Sequence, residues 1–339
     1  MSESRTDAIS YFLEDVTHHG RNIRTQEAYR RVLREYESFL DDQFGKSPEE
    51  ASYRDCMAWT HELRTRHASS TVATYASYLN RFYRYLERVG RHDENPMGLV
   101  LEEMDESIET NPSRRDLSLE EMRTFVDRIR HPLHRVIVVT LLKTGMRSGE
   151  LCNLDLRDLH LDAENRWWEP RPQISGRPRS IYVAPDHTIG HVTGGEERTA
   201  SNKRKRETVV PIDDELAAEL WRWLAMRPDV RSSAEPVFVG TADTWGERLT
   251  PDTVHHIVEG YARDAGWYHT GAGSAENVTP HYFRHFFTTY LRDLTGDRGV
   301  VKYLRGDVAD DIIDTYTHNW GDRVRETYLH HIYSLQDAD

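Results

Sequence analysis

The sequence predicts a mainly α protein with a small β-sheet, an α+β arrangement in two domains. Residues 5–95 place apolar side chains at helical spacing and contain no strand pattern. The second half adds three short strand-like runs between further helical segments. A length of 339 residues fits about two domains. We therefore place the domains at residues 5–95 and 118–339, with a linker at 96–117.

Four helices are predicted in the first domain. Apolar residues recur at helical spacing in the first two, a Pro48 turn precedes the third, and Ser69 or Ser70 can cap the fourth before Gly90 ends it. The predicted helices cover residues 8–16, 28–40, 52–66 and 69–89. Without a strand among them, they form a small bundle.

The bundle is expected to end at Asn95-Pro96. Residues 96–117 are polar and mostly acidic and include Asn111-Pro112, which is typical of a linker between domains.

The second domain is expected to begin at Ser118, which can form a capping box with Glu121. A buried helix follows at Leu133–Leu142. Residues 186–200 contain glycines and no apolar period, so a mobile loop is predicted there. The other predicted elements are strands at 166–169, 180–183 and 208–212, and helices at 213–227, 250–265, 280–295, 298–305, 308–317 and 321–334.

The overall charge of −13 argues at first sight against a nucleic-acid partner. Only five of the 44 basic residues are lysine, so 39 are arginine. Acid-rich, lysine-poor chains fit concentrated salt, and a salt-adapted archaeon, or its virus or plasmid, is our hypothesis for the host. Two cysteines and the lack of an apolar signal or membrane-length segment predict a reduced, cytoplasmic protein without membrane contact.

Positive charge is nevertheless clustered in the first domain. Residues 21–34 hold five arginines and one glutamate, and residues 64–91 hold six arginines and one glutamate. A solvated helix face is the alternative, but carboxylates are scarce here in an otherwise acidic chain, so phosphate contact is favoured. The arginines predicted to bind DNA are Arg21, Arg24, Arg30, Arg31, Arg81 and Arg84, with Arg204 and Arg206 from the second domain.

Several motifs in the second domain can act on a phosphate. Arg147 follows Gly145 after the apolar helix, and Glu150 is spaced to hold its guanidinium. An ordinary ion pair at a helix junction explains this motif equally well. His281 and Arg284 are three apart, so one helix face presents both; a polar face with a capped histidine is the alternative.

Three further residues complete this candidate chemistry. Lys203 and Lys205 lie in a basic turn, and lysine can release a proton where arginine practically cannot. Tyr316, in Asp-Thr-Tyr316-Thr-His, carries a hydroxyl that can attack phosphorus once it is activated. Tyr303 and Tyr328 are rival nucleophiles. Histidine pairs elsewhere lack partners at zinc spacing, so no metal is expected.

In order and spacing these motifs resemble the tyrosine recombinase (phage integrase) family, in an Xer-like form. The resemblance implies that residues 5–95 are a core-DNA-binding domain and 118–339 a tyrosine-recombinase catalytic domain, which together clamp duplex DNA. It also implies a homo-tetramer on two DNA sites, with a monomer possible off DNA. The amphipathic segment Asp322–Leu335 would dock either on a neighbouring subunit or on its own domain.

The resemblance also implies a mechanism without a cofactor. Tyr316 would form a 3′-phosphotyrosine while Arg147 and Arg284 stabilise the phosphorane. His281 would act as acid or base, His285 would support it, and a lysine would protonate the leaving 5′-oxygen. Lys203 fits the lysine position better than Lys205.

One position departs from the family pattern. Asp307 lies nine residues before Tyr316, where relatives carry histidine or tryptophan. An aspartate accepts hydrogen bonds, so it would instead orient Arg305 or His281. This departure keeps open a DNA-binding regulator without catalysis. A type IB topoisomerase-like enzyme, which shares the same chemistry, also stays open, and a metal-dependent nuclease is a further candidate.

Overall fold

The structure is a computed structural model that describes residues 7–18, 23–106, 114–161, 167–185, 187–273, 275–307 and 320–336. It divides the chain into two compact units, Met1–Ser113 and Arg114–Asp339. The predicted combination of many helices with a small antiparallel sheet is confirmed. No helix in the described ranges has both the length and the apolar character needed to cross a membrane.

The first unit is a helical bundle. Its aromatic core surrounds Trp59, and the hydroxyls of Tyr36 and Tyr83 lie 2.8 Å apart inside it. Ser52 and Asp55 cap the third helix in a capping box. The helices are α1 (Ala8–His18), α2 (Ile23–Phe44), α3 (Tyr53–Arg66), α4 (Ser69–Arg88) and α5 (Met97–Glu103), with a 3-10 turn at Pro48–Glu50.

Helix α5 lies inside the segment predicted as a linker, residues 96–117. Met97 and Val100 are fully buried in the core of the first unit. Their spacing of three residues places both on one face of α5, and that face packs on α3 and α4. The first part of this segment therefore belongs to the bundle, in spite of its acidic composition.

The second unit builds one core around a buried helix. Its helices are α6 (Leu119–Arg128), α7 (Pro132–Thr144), α8 (Ser148–Cys152), α9 (Asp214–Leu224), α10 (Pro251–Asp264), α11 (Pro280–Thr295), α12 (Arg298–Arg305) and α13 (Trp320–His331), with 3-10 turns at Leu156–Asp158 and Pro172–Ile174. Helix α7 packs against α9 and α11. The predicted capping box of Ser118 and Glu121 begins α6.

The main sheet has three antiparallel strands in the order β1 (Leu159–His160), β2 (Ser180–Val183) and β5 (Thr208–Pro211). The strands predicted at 180–183 and 208–212 are thus confirmed. The strand predicted at 166–169 is wrong over residues 167–169, which lie outside any strand. There, Trp167 and Trp168 pack against Trp221 instead.

The loop predicted at residues 186–200 contains a two-stranded hairpin, β3 (Val192–Thr193) and β4 (Glu196–Glu197). Arg198 follows it and is fully buried, donating to Asp155 at 2.9 and 2.8 Å. Arg248 also donates to Asp155, at 2.7 Å, and to Glu196. Two arginines therefore fix this connection to the core, a constraint that the glycine-rich sequence does not reveal.

The C-terminal segment packs on its own unit. Tyr328 and Tyr333 donate hydrogen bonds to the carbonyls of Lys143 and Leu142 on α7, at 2.9 and 2.6 Å. The fully buried Lys143 ammonium contacts Asp213 at 2.6 Å and the Tyr333 carbonyl at 2.5 Å. Of the two docking positions left open by the sequence, the structure has the one within the same chain.

Candidate active site

Arg147 lies at the junction between α7 and α8. Gly145 ends α7 with a φ of 61°, and a Cβ there would overlap the ring of Phe287 on α11. The turn places Arg147 as the N-cap of α8, where its Nη1 donates to Oε1 of Glu150 at 2.9 Å. The backbone N–H of Arg147 donates to the other carboxylate oxygen at 3.0 Å. This is the pairing that the spacing predicts.

Arg284 reaches the same place from α11. Only 2% of its side chain is exposed. Its Nη1 donates to the carbonyl of Gly145 at 2.7 Å, and its Nη2 donates to the carbonyl of Arg305 at 3.0 Å. Burial lowers the pKa of the Arg284 guanidinium to about 10, with Arg147 adding to the shift, so this group remains charged at neutral pH.

Asp307 joins the two arginines. Its Oδ1 accepts from Nη2 of Arg147 at 2.9 Å and from Nη2 of Arg284 at 2.8 Å. Its Oδ2 accepts from the same Arg284 nitrogen at 2.8 Å and contacts Nη2 of Arg305 at 2.8 Å. Burial raises the pKa of the Asp307 carboxyl, but Arg284, Arg305 and Arg147 outweigh burial and keep it below its ordinary value.

Arg204 is a correction to the predicted DNA-binding set. Its side chain is fully buried, with Nη2 donating to Oε2 of Glu150 at 3.1 Å and Nη1 to the carbonyl of Leu304 at 3.0 Å. A Cβ on Gly306, which has a φ of 70°, would lie 2.8 Å from Arg204. Arg204 therefore packs beneath the site and holds Glu150, because a buried guanidinium needs a counter-charge.

The resulting cluster keeps a positive charge. Four guanidiniums surround two carboxylates, Glu150 and Asp307. Burial raises the pKa of the Glu150 carboxyl, yet Arg204 and Arg147 hold it below its ordinary value, so Glu150 is ionised. The excess of guanidiniums suits an anion with oxygens that accept several hydrogen bonds, such as a phosphate.

His281 lies in the first turn of α11, near the arginines of this cluster. The pKa of its imidazole is lowered to about 4, first by desolvation and then by the nearby arginines 114, 284, 147 and 305. The side chain is still exposed, and at neutral pH its ring is uncharged. The pKa of His285, one turn further along α11, is lowered by desolvation and then by Arg114, Arg305 and Arg292.

Both candidate lysines lie in the turn that leads into β5. Lys203 and Lys205 are exposed, whereas Arg204 between them points inward. The alternation follows the period of an extended chain, in which neighbouring side chains face opposite sides. Because Arg204 contacts Glu150, this turn is fixed beside the arginine cluster. Arg206 is partly exposed.

Tyr316, with the predicted helix at 308–317, lies outside the described residues. Its two rivals are described and are poorly suited to attack. Tyr328 is fully buried, and its pKa is raised well above the ordinary value by burial. The hydroxyl of Tyr303 accepts from the backbone N–H of Val209 at 3.3 Å, and burial raises its pKa as well.

The arginines predicted to bind DNA in the first unit have a different environment. Arg30, Arg31 and Arg84 are exposed, and the guanidinium of Arg81 lies 5.7 Å from the ring centroid of Tyr29. Arg84 and Arg81 line an open cleft of about 660 Å³. Arg21 and the side chain of Arg24 lie outside the described part of the chain.

Arg305 is the functional candidate that the motifs did not single out. It was expected only as a residue that Asp307 orients, and the structure adds that Asp307 holds Arg147 and Arg284 as well. The sequence signal that could have identified Arg305 is its position two residues before Asp307. Among the described residues, histidine, cysteine and acidic side chains form no group of three or more suited to a metal ion.

Known proteins resemble both units. Residues 116–322 match the phage integrase family, and residues 9–90 match its N-terminal SAM-like domain. The chain is 24% identical over 307 residues to the tyrosine recombinase XerC of Pelobacter propionicus, covering 90% of this chain and 87% of the relative. It is 24% identical over 333 residues to the tyrosine recombinase XerA of Pyrococcus furiosus, covering 95% and 93%.

The fold is also similar to solved structures. The Tn1549 transposon integrase in complex with transposon right end DNA matches with a TM-score of 0.64 at 20% identity, over 95% of this chain and 98% of that chain. A lambda integrase tetramer bound to a Holliday junction matches with a TM-score of 0.63 at 13% identity, over 91% and 79%.

Proposed function

Because the chain belongs to the phage integrase family, it is a tyrosine-type site-specific recombinase, and we propose that it cleaves and rejoins DNA through a 3′-phosphotyrosine on Tyr316. In the proposed step, the Tyr316 oxygen bonds to the scissile phosphorus and the bond to the 5′-oxygen breaks. The phenol loses its proton, and the leaving oxygen gains one. Attack by a 5′-hydroxyl of a partner strand reverses the step, so the energy of the bond is conserved and no nucleotide cofactor is needed.

The observation that carries this proposal is the convergence of Arg147 and Arg284 on one point. Their Nη2 atoms lie 2.9 and 2.8 Å from the same oxygen of Asp307. Positioned guanidiniums stabilise the charge that develops on a phosphorane, and this supply of charge is why we propose a step that does not depend on a metal. Glu150, itself held by Arg204, supports Arg147, and the carbonyls of Gly145 and Arg305 hold Arg284.

Proton transfer is assigned to His281 and Lys203. A pKa of about 4 keeps His281 uncharged at neutral pH, so it can accept the Tyr316 proton, or orient the phosphate when protonated. An exposed lysine on the turn beside the cluster can protonate the 5′-oxygen. Lys203 is preferred on its spacing from β5, and Lys205 is the alternative. His285 supports His281 from the same helix.

The first unit, with core residues 5–95, is proposed as the core-DNA-binding domain, and the second unit as the catalytic domain. Duplex DNA is the proposed partner. Arg30, Arg31, Arg81 and Arg84 would contact its phosphates, with Arg21, Arg24 and Arg206. A tetramer on two DNA sites is proposed by analogy with the lambda integrase tetramer on a Holliday junction. Off DNA, a monomer is proposed.

We further propose that the enzyme acts in the cytoplasm of a salt-adapted host and serves a mobile element. The support is the charge of −13 with only five lysines. Full stability and solubility in dilute buffer would contradict the salt-adapted host. A DNA-binding regulator without catalysis, a type IB topoisomerase-like enzyme and a metal-dependent nuclease are not favoured, because the relatives are tyrosine recombinases.

A trapping experiment tests the proposed nucleophile. The protein is incubated in high salt and EDTA with DNA that flanks its own gene, and the reaction is quenched with SDS. Wild type, Tyr316→Phe and Tyr303→Phe are compared. We expect a protein–DNA adduct with wild type and Tyr303→Phe but not with Tyr316→Phe. An adduct that persists in Tyr316→Phe, or the lack of any adduct on DNA that the wild type binds, would contradict the proposal.

A further inference from the structure

The two oxygens of Asp307 are bound in a symmetrical manner. Each oxygen contacts two guanidinium nitrogens, and Arg284 is shared between them. The remaining partners are Arg147 on Oδ1 and Arg305 on Oδ2. Such a set of donors is larger than one carboxylate needs for neutralisation, because three positive charges surround one negative charge.

A phosphate diester presents the same features as this carboxylate. It has two non-bridging oxygens on one atom and a single negative charge, and it is bound well by planar guanidiniums in a forked geometry. A donor set that holds Oδ1 and Oδ2 of Asp307 can therefore also hold the two non-bridging oxygens of a phosphate diester.

The second carboxylate of the cluster differs in accessibility. The side chain of Glu150 is fully buried beneath the arginines, whereas that of Asp307 is 28% exposed. Arg147 and Arg305 are 28% and 30% exposed beside Asp307. An anion from solution can reach this open face and replace Asp307, but it cannot replace Glu150 without opening the core.

We propose that Asp307 occupies the phosphate position of the site, and that a DNA phosphate displaces it and takes Arg305 as a third phosphate-binding guanidinium. Arg147 and Arg284 keep their places during this exchange, because Glu150 and the carbonyl of Gly145 hold them. The proposal rests on the proposed function only for the identity of the natural anion.

Inorganic phosphate is the probe for this exchange, since it needs neither a DNA site nor a covalent step. Binding is measured by calorimetry at one fixed salt concentration, at which the wild type is folded, with wild type, Asp307→Asn, Arg305→Gln and the double variant. Asp307→Asn keeps the shape of the side chain and removes the competing charge. Asp214→Asn is the matched control, because Asp214 is an exposed partner of Arg179 at 3.0 Å in the same unit.

We expect Asp307→Asn to bind phosphate at least about tenfold more tightly than wild type, since hydrogen bonds to charged groups are among the strong ones. Adding Arg305→Gln should remove most of that gain, and Asp214→Asn should behave as wild type. Equal affinity of Asp307→Asn and wild type would overturn the placement of Asp307. If the double variant binds phosphate as tightly as Asp307→Asn, Arg305 is not a phosphate-binding residue and acts only as a counter-ion of Asp307.

Loss of the carboxylate removes a counter-charge that Arg147, Arg284 and Arg305 share, and it can prevent folding of Asp307→Asn. In that case thermal melts are repeated at increasing phosphate concentration. Recovery of a cooperative melt supports the proposal, and no recovery overturns it. If the variants bind phosphate as expected but the wild type forms no Tyr316 adduct with DNA, this inference stands and the proposed function is wrong.

Discussion

The arginines predicted to bind DNA in the first unit and those buried in the core of the second unit have opposite environments. In the first unit, Arg30, Arg31 and Arg84 are exposed to solvent. Among the described residues of the second unit, four arginines are almost entirely buried, each with a carboxylate within 3.1 Å: Arg198, Arg204, Arg248 and Arg284. Exposed guanidiniums attract phosphates over a distance and tolerate small displacements, whereas buried ones hold fixed positions because their partners are fixed as well.

Exposed arginines should govern the affinity for DNA, and the buried cluster should govern the cleavage step. Binding that depends on exposed arginines weakens as salt rises, because exposed charges are screened and the release of counterions from DNA becomes less favourable. Charges held at short distance in a partly buried cluster are screened much less. We therefore expect substitutions in the second unit to change reaction and stability, and substitutions in the first unit to change the salt dependence of binding.

The largest effect is expected for Arg284→Lys. A lysine cannot reproduce the bonds to Asp307 and to the Gly145 and Arg305 carbonyls, so adduct formation should fall by about 10²–10³-fold. Single-turnover cleavage with saturating DNA measures the loss. Arg292→Lys, at an exposed position on the same helix, should cleave normally. Comparable cleavage by the two variants would remove the distinction between the units.

Next in size is the effect of Glu150→Gln on folding. Removing this buried carboxylate leaves Arg204 without its counter-charge, and about 3–5 kcal/mol of unfolding free energy should be lost. The pKa of Glu150 is lowered in the folded protein, so its stabilisation is present above the pKa of an unfolded glutamate and is lost as the pH falls through the folded value. Urea unfolding at neutral and acidic pH measures both effects.

The control for that experiment is Glu326→Gln, at an exposed position of α13. It should unfold like the wild type at both pH values. A Glu150→Gln protein as stable as this control would mean that Arg204 needs no counter-charge from Glu150.

A smaller effect is expected for the titration of His281, because the nearby arginines lower the pKa of its imidazole. Its NMR titration should have a midpoint at about 4 in the free protein, and the resonance should be missing in His281→Gln. The uncharged ring is favoured by folding, so its contribution to stability is present above the ordinary histidine pKa and is lost as the pH falls towards 4. A bound phosphate should raise the midpoint. An unshifted titration would separate His281 from the cluster.

The smallest effect is expected for Arg84→Gln in the first unit. If Arg84 contacts one DNA phosphate, its loss should reduce the slope of log affinity against log salt by about 0.9. The cleavage rate at saturating DNA should stay unchanged. Arg222→Gln, at an exposed position on α9, should leave the slope as it is. A loss of cleavage in Arg84→Gln would contradict the division between the two units.

Local signals made much of the fold predictable. The apolar period of the bundle, the capping box at Ser118 and the strands at 180–183 and 208–212 all depend on neighbouring residues, which the sequence displays. Helix α5 and the hairpin at residues 192–197 depend instead on distant partners. An acidic or glycine-rich segment is buried only when another part of the chain supplies its contacts, as Asp155 does for Arg198.

The contacts of the candidate active site also divide into those predictable from local spacing and those that depend on distant residues. Arg147 and Glu150 lie three residues apart, so their contact was predictable from helical geometry. In the basic run at 202–206 every basic side chain looks equally suited to DNA, and only the position of Glu150 determines that Arg204 turns inward. The role of Asp307 was equally hidden, because two of its three arginines come from residues 23 and 160 positions away in the sequence.

The contacts between α7 and the C-terminal segment have a consequence for folding kinetics. Tyr328 and Tyr333 reach back over 185 and 191 residues to bond the carbonyls of Lys143 and Leu142. Closing so long a loop reduces the entropy of the chain before the new contacts contribute any stabilising free energy. Topologies with such long-range contacts therefore fold slowly. Until that closure the Lys143 ammonium lacks the Tyr333 carbonyl, so we expect this contact to form late in folding.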